Sequence, residues 1–546
     1  MNKSMDCKQG PVLSFEQGQI KGVIETNIDN KEEYFAFRGI PYAKPPIGKL
    51  RFQDPLPPEK WIGIRDGSKF GNVCAQIDRV SNEVIGSDDC LYLNVYTPLI
   101  ELSAKLTVMV WIHGGCFYMG SGNDDMYKPD YIVRKDVILV TINFRLGSLG
   151  FLNLEDEVAS GNQGLKDIVM ALRWVRKNIA VFGGDPENVT IFGGSSGAAM
   201  VHYLTMSPLA DGLFHKAIAQ SGLATNFWAS MLVEARKYVY QLSSMLGFKS
   251  FDSKAIVDFL QEVNLEKLIK YQYKIISSMK DKSVFSAFLP GVDNKSKNPF
   301  LLLPPTIAVK FGIKVPFMFG YNDMESSFFF GNSNLASRFI KRIDNSICDF
   351  ENFLSPDLLN KLKERTLTVN EFKSLYFSKK SLNGEPTENI IQFLNDFYFL
   401  HHIFELAKIL PIVNKCSSYL YKLSYNSEEP SFMKTIMNID IKGVTHGDEL
   451  NYLFYGTHLN ALNLKPYRPG TSSYKVMDCV TQLWTDFAKT GNPTPKTTEL
   501  IPILWKPLEK NSNMYDYLNI NEQLQMESIP KGVQRFEWNS RINNKL

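Results

Sequence analysis

The stretch that most constrains this chain is Asn188-Val-Thr-Ile-Phe192 running straight into Gly193-Gly-Ser-Ser-Gly197-Ala-Ala-Met-Val-His-Tyr-Leu. The first half predicts a buried strand, the glycines leave no room for a loop, and the sequence from Ser195 onward predicts a helix. Parallel strands require helical crossovers, so a strand turning tightly into a helix points to an α/β protein with a large, mostly parallel sheet. Two further apolar runs, Leu106–Ile112 and Val137–Asn143, read as strands covered on both faces.

The same turn matches Gly-x-Ser-x-Gly over 193–197. A hydroxyl at the apex of a strained strand-to-helix turn is exposed as a nucleophile, flanking glycines let strand and helix approach, and the helix N-terminus favours negative charge beside it. Ser195 is the expected nucleophile and Ser196 the rival hydroxyl. A glycine-rich packing joint is the competing reading. Upstream, Trp111-Ile-His-Gly-Gly-Cys-Phe117 follows the strand at 106–112, where this architecture supplies backbone N–H groups to a developing oxyanion. Gly115, Cys116 and Ser196 are the expected donors. Nothing in the sequence activates Cys116 as a nucleophile, and His113 reads as architectural.

The chain holds seven histidines: 113, 202, 215, 401, 402, 446 and 458. His446 stands apart because it occupies a late glycine-flanked loop, Gly443-Val-Thr-His-Gly-Asp-Glu-Leu450. The others fall in helical or packing contexts, including the doublet in FYFLHHIFELAKIL. For the acid, Glu325 follows the short strand expected at Val315–Phe319, and Asp323 is its rival. Asp448 and Glu449 lie too near His446 in sequence to serve as its acid, although either could support its network. Ser195, Glu325 and His446 come in the chain order that an α/β-hydrolase requires.

Composition narrows the function classes. With 546 residues, 44% apolar and 21% charged, there is ample material for a core. A net charge of +3 is too even for a chain whose main partner is nucleic acid. Seven cysteines without a C-x-x-C pair support neither a structural zinc site nor a disulfide scaffold, and neither metal nor cofactor is expected. No apolar run reaches the roughly 18 residues of a spanning helix, so no transmembrane anchor is expected. The polar first residues lack a signal-like apolar stretch, which favours a cytoplasmic protein, with secretion after removal of a leader as the alternative. Glycosylation triplets occur at Asn2, Asn188 and Asn294, the second at the mouth of a buried strand. The chain reads as one α/β unit over 1–546, with a catalytic core of about 12–530 and helical insertions at about 228–285 and 333–430. Hairpin strands are expected over 19–40, another strand at Leu91–Tyr96, helices at Gly164–Ala180 and Tyr474–Thr490, a turn at GGDPEN and a late strand at Tyr515–Ile520.

These segments resemble the type-B carboxylesterases and cholinesterases. The resemblance is carried by FRGIPYAKPP (37–46), DDCLYLNVYTP (88–98), WIHGGCF (111–117), NQGLKD (162–167), the run 171–197 and GVTHGDEL (443–450), and it is most similar to insect carboxylesterases of the detoxification kind. It implies the α/β-hydrolase fold, a Ser195–Glu325–His446 triad, oxyanion donors at Gly115, Cys116 and Ser196, and supporting roles for Ser221 and Glu449. It further implies salt bridges Arg38–Asp88 and Arg145–Asp167 and a disulfide between Cys74 and Cys90, awkward for a cytosolic protein. Phe285, Phe288, Phe328, Phe329 and Phe330 fall near positions lining the substrate pocket. Ordinary core packing is the competing reading for each.

Three departures shape the substrate expectation. Gly194 stands where an acidic residue is common in the family, and where juvenile hormone esterases usually carry Gln. The loop between Cys74 and Cys90 has no Trp for a cation–π contact, which disfavours choline esters. Cys116 replaces a usual glycine and narrows the space beside the oxyanion. The expected partners are small hydrophobic esters and organophosphate inhibitors, with no nucleic acid, and the chain is expected as a monomer or homodimer. A specialised hormone, pheromone or lipid esterase and a silent adhesion scaffold are the alternatives.

Overall fold

Among the described residues, one sheet of thirteen strands organises the fold. The strands are β1 (Lys8–Phe15), β2 (Gly18–Thr26), β3 (Glu33–Pro41), β4 (Ile64–Asp66), β5 (Tyr92–Thr97), β6 (Leu106–Ile112), β7 (Val137–Ile142), β8 (Gly184–Gly194), β9 (Lys216–Gln220), β10 (Phe317–Asn322), β11 (Ser418–Leu423), β12 (Met514–Ile520) and β13 (Gln525–Pro530). The computed structural model describes residues 8–538 apart from 29–30, 80, 232–233, 280–283, 332–349, 352, 355 and 378–386. The strand order is β1-β2-β3-β5-β7-β6-β8-β9-β10-β11-β12-β13, with β4 on the flank of β2. Pairing is parallel from β7 through β6 and β8 to β12, and antiparallel along β1-β2-β3-β5-β7 and at β12-β13. This is an α/β-hydrolase sheet with an N-terminal antiparallel region.

The central strands are apolar throughout because both faces are covered. Val108, Val110 and Ile112 of β6 point to one layer, where Leu165, Ile168, Leu172 and Val175 of helix Gln163–Asn178 are buried. Met109 and Trp111 point to the other, against Val480, Leu483 and Trp484 of helix Ser472–Thr490. The period of two in the strand thus meets the 3.6 period of a helix on each side. Leu172 is fully buried, and its truncation to Ala would cost about 2–5 kcal/mol.

Several elements depart from expectation. GGDPEN is not a free turn: β8 already pairs with β6 at Gly184↔Leu106, and the register breaks before it resumes at Val189↔Val108. The turn residues form an irregularity inside a longer strand. The helical insertion drawn over 333–430 contains β11, whose Ser-Tyr-Leu-Tyr-Lys-Leu suits a strand through its aromatic content; residues 333–349, 352, 355 and 378–386 of that range lie outside those described. The strand expected at Val315–Phe319 is displaced to Phe317–Asn322. No strand is expected from the sequence at β1 and β13, exposed edge strands with weak alternation, at the three-residue β4, or at β9, whose five buried residues are too short a run to mark a strand.

Cys74 and Cys90 are disulfide-bonded, with Cα atoms 4.9 Å apart. Arg145 and Asp167 form a buried two-point pair at 2.8 and 2.7 Å. The Arg38–Asp88 pairing is wrong. Arg38 lies on β3 and reaches Glu25 on neighbouring β2 at 2.6 Å and Asp124 at 3.2 Å. Asp88 is taken by Arg51, at 2.6 Å. Asn188 bonds Thr107 at 3.0 Å and accepts from Lys216, so its amide is engaged in packing. Among the described residues no cluster suits a metal ion, and no helix is long and apolar enough to cross a membrane.

Candidate active site

Ser195 sits where β8 ends and helix Ser196–Met206 begins, with φ 59° and ψ −125°. Such a conformation typically costs a non-glycine residue about 1–3 kcal/mol and persists only where the surroundings enforce it. Here they do. A Cβ on Gly193 would lie 2.6 Å from the Ile112 carbonyl oxygen, and one on Gly197 only 2.1 Å from it, so both glycines are required for the turn to press against β6. The Ser195 N–H donates to the Gln220 carbonyl at the end of β9, at 2.8 Å. The rival Ser196 is buried, and its hydroxyl accepts the Phe117 N–H at 3.4 Å.

The loop after β6 lies against this turn. Gly115 has φ 121°, and a Cβ there would meet the Met119 carbonyl oxygen at 2.1 Å. Cys116 and Phe117 follow with φ 54° and 67°. The amides of Gly115, Cys116 and Ser196 donate to no other group among the described residues. Burial pushes the Cys116 thiol up, with Arg79 acting weakly the other way, so the thiol stays protonated. His113 is buried, stacks on Phe144 at 4.3 Å and contacts the Gly114 carbonyl at 2.8 Å. Burial lowers it to about 4, so it is neutral.

His446 and Glu325 meet directly: Nδ1 is 2.6 Å from Oε2, and the Glu325 side chain is wholly shielded from solvent. The His446 N–H also donates to the Glu325 carbonyl at 3.2 Å. Burial is the largest effect and works against a charged imidazole, but the neighbouring carboxylates, Glu325 foremost with Glu449 and Asp448 behind it, together hold His446 above its ordinary value. Asp323 does different work, accepting the Val444 N–H at 2.7 Å and so fastening the histidine loop. Asp448 accepts the Thr445 N–H at 3.0 Å and the Ser431 hydroxyl at 2.5 Å.

Glu449 is buried behind these groups. Its Oε2 accepts from the Asn322 side-chain amide at 2.6 Å, while the Asn322 backbone N–H donates to Glu325 Oε1 at 2.8 Å. Gln220 approaches the other Glu449 oxygen at 3.5 Å and accepts from Trp484 at 3.0 Å. A Cβ on Gly194 would stand 3.4 Å from Glu449 Oε1, so an acidic residue there would face a buried carboxylate. Ser221 is buried with φ 56°, and its hydroxyl has no hydrogen-bond partner among the described residues. Asn322 and Gln220, which link the Ser195 turn to Glu325 through Glu449, gave no signal in the sequence.

Aromatic rings wall one side of His446. Phe328 lies 5.4 Å from its ring and 4.1 Å from Phe329; Phe285 contacts Phe329 and Tyr398 at 6.0 and 5.3 Å. Phe288 is buried and Phe330 half-buried, and neither ring stacks on this group among the described residues. Sequence reasoning missed Phe399, 5.1 Å from His446, and Trp228, 6.1 Å from both Phe285 and Phe399. The remaining histidines are elsewhere. His202 is buried and lowered to about 3, and His401 and His402 are buried well below their ordinary value. His215 bonds the Val189 N–H at 3.1 Å, and His458 faces Asp125 at 3.7 Å on the surface.

The model of the carboxylesterase family matches residues 9–537. The juvenile hormone esterase of Tribolium castaneum is 35% identical over 507 residues, covering 89% of this chain and 84% of that protein. A carboxylic ester hydrolase of Bombus ignitus is 31% identical, covering 99% and 96%. Among solved structures, juvenile hormone esterase from Manduca sexta, with OTFP covalently attached, superposes with a TM-score of 0.84 at 27% identity, covering 98% of this chain and 99% of that one.

Proposed function

The chain belongs to the carboxylesterase family, and from that premise we propose that it is a serine hydrolase of hydrophobic, uncharged carboxylic esters working through an acyl-enzyme. The observation that carries the reading is the 2.6 Å contact between His446 and the wholly buried Glu325 carboxylate, on a loop whose Glu449 stands 3.4 Å from a Cβ placed on Gly194, the residue before Ser195. A carboxylate so placed fixes the imidazole with its proton on Nδ1 and leaves Nε2 as the base.

In the first half-reaction Ser195 Oγ attacks the ester carbonyl carbon as its proton passes to His446 Nε2. The amides of Gly115, Cys116 and Ser196 receive the oxyanion, and each such donor is typically worth about 3 kcal/mol of transition-state stabilisation. His446 returns the proton to the alcohol oxygen as the C–O bond breaks. Water then attacks the acyl-enzyme, with His446 taking its proton and giving it back to Ser195. Glu449 and Asn322 hold the acid in place. Ser221 is assigned to the same support, although its hydroxyl joins no bond there.

The aromatic wall of Phe285, Phe328, Phe329 and Phe399 favours apolar ester groups, and Gly194 leaves no acidic partner for a cation. Xenobiotic detoxification fits this breadth, and organophosphates are expected to phosphorylate Ser195 and leave slowly. Likeness to the Tribolium esterase favours a second reading, a hormone-selective enzyme, which Gly194 opposes.

The test is kcat/KM for p-nitrophenyl acetate, butyrate and hexanoate, beside Ser195→Ala and juvenile hormone itself. Turnover abolished in the variant and rising with chain length supports the proposal. Equal weak activity in both proteins sinks it. Turnover confined to the hormone selects the second reading. After paraoxon, the peptide containing Ser195 should gain the diethylphosphoryl mass.

A further inference from the structure

Between helices Thr387–Asn395 and His401–Val413 the chain passes through a π-helical turn, Asp396–Leu400. A π-turn inserts an extra residue into a helix and frees carbonyls from the i→i+4 ladder, a distortion that persists only when other groups take up those oxygens. Here side chains do so. The Tyr398 carbonyl accepts from the Asn226 side-chain amide at 2.5 Å and from the Trp228 indole at 3.0 Å. Asn226 is buried, and its own oxygen is pinned by the Leu223 N–H at 2.6 Å.

The outer side of the turn is held as firmly. Buried Asp396 accepts from Arg535 at 2.8 Å and from the Tyr376 hydroxyl at 3.0 Å, and that hydroxyl accepts from the Trp538 indole at 2.8 Å. His401 stacks on Trp538 at 3.8 Å and contacts the Phe536 carbonyl at 2.9 Å. Between the two grips, the turn sets the residues that face the site: Tyr398 packs on Phe285 and Phe329, and Phe399 on His446.

We propose that this π-turn, locked by Asn226 on the pocket side and Arg535 on the outer side, positions the aromatic wall beside His446, so that both residues govern which ester groups are accepted without touching substrate. The inference rests on the ester-hydrolase reading above for its kinetic arm only. An α-helical relaxation would remove the extra residue's rotation and swing Phe399 off the imidazole, widening the space beside the reacting carbonyl.

The experiment compares Asn226→Ala, Arg535→Met and Arg535→Lys with the parent protein. Hydrogen–deuterium exchange is followed on the peptide spanning 396–402, and kcat/KM across a p-nitrophenyl acyl series and a series of acetate esters of longer alcohols. Expected are faster exchange in that peptide for Asn226→Ala and Arg535→Met, and a shift of at least about threefold in the long-to-short ratio of one series, in the same direction for both, since a methylene-sized change of pocket shifts selectivity by that order or more. Arg535→Lys should keep the parent ratio. If Arg535→Met does not accumulate as folded protein, Asn226→Ala reads the same turn from the other side. Unchanged exchange, or a lowered melting temperature with both ratios unmoved, overturns the proposal. Absence of Ser195-dependent turnover in the parent would instead overturn the ester-hydrolase reading, and exchange would still decide whether the turn is locked.

Discussion

Glu325 and Glu449 bind opposite ends of one residue: Glu325 takes the backbone N–H of Asn322 at 2.8 Å, and Glu449 its side-chain amide at 2.6 Å. Two buried carboxylates are thereby kept at fixed positions around His446. Burial, reinforced by the nearby Glu325 charge, raises Glu449 above the usual carboxylate range. It acts on the acid through Asn322, whose side chain it holds while Glu325 takes the backbone N–H of the same residue. Glu449→Ala should lower kcat about tenfold with KM little changed, a displacement of the acid by a fraction of an ångström being enough. Glu449→Gln, which can still accept from Asn322, should retain most activity. Equal losses in the two variants on steady-state assay would contradict this role.

The pH profile follows from the charge that holds His446 above its ordinary value. The base must be neutral, so kcat/KM should rise with pH through that elevated value and level off above it. Glu325→Gln leaves the burial but removes the charge, so the midpoint should move down while the plateau falls by about 10³–10⁴. A midpoint that stays or moves up would count against Glu325 as the partner.

Cys116 holds φ 54° inside the loop that follows β6. Replacement by glycine relieves a left-handed strain of about 1–2 kcal/mol. It also removes a side chain beside the reacting carbonyl. Cys116→Gly should raise the melting temperature slightly and improve turnover of esters with branched acyl groups. Cys116→Val, β-branched at positive φ, should lose most activity. Thermal melts and an acyl-branching series check both.

Asp448 is buried, and that burial raises it to about 7. An unfolded aspartate titrates near 3.9, so between about pH 4 and 7 the unfolded chain sheds a proton that the folded chain keeps. Stability should therefore fall as pH rises through that window and stay level above it. Asp448→Asn removes the effect, and its melting temperature relative to the parent should climb from pH 4.5 to 7.5. A constant offset across that range would overturn the assignment.

The Cys74–Cys90 bond closes a short loop, sequence separation 16, next to the buried Arg51–Asp88 pair. Loops of this length give a disulfide worth about 3 kcal/mol. Reduction, or Cys74→Ser with Cys90→Ser, should lower the melting temperature by several degrees, and kcat for acetate esters should fall with it, because Gln76 of this loop holds the Gly120 N–H at 2.7 Å and the Gly120 carbonyl at 2.8 Å in the loop that follows β6; an unchanged kcat would show that the two loops are uncoupled.

What the sequence made legible was what local pattern encodes. Fully apolar runs marked β6 and β7, and the glycines at 193 and 197 marked a turn that nothing larger could make. The isolated His446, between glycines, stood out from six histidines with bland settings. Asp323 and Glu325 could not be separated by pattern, since both follow β10; only the three-dimensional course of the histidine loop gives Asp323 the Val444 N–H and Glu325 the imidazole. Arg38 was misassigned because the resemblance carried Asp88 over as its partner, whereas its guanidinium reaches past its own register position to Glu25, which sits opposite Tyr34, and to Asp124. The π-turn is invisible to periodicity because it is stabilised from outside, by Asn226, Trp228 and Arg535.

The distances along the chain between the groups of the site bear on when activity can arise during synthesis. His446 is separated from Glu325 by 121 residues, and Gln220, whose carbonyl seats Ser195, from its indole partner Trp484 by 264. At roughly 5–20 residues per second, a nascent chain spends tens of seconds with its nucleophile turn complete and its base still inside the ribosome. On the proposed mechanism the site is thus silent until His446 has been made and has left the ribosome, and a newly made chain gains reactivity towards covalent inhibitors only once its long-range contacts have closed. Labelling by a fluorescent phosphonate is therefore a clock for the end of folding rather than for the appearance of the polypeptide.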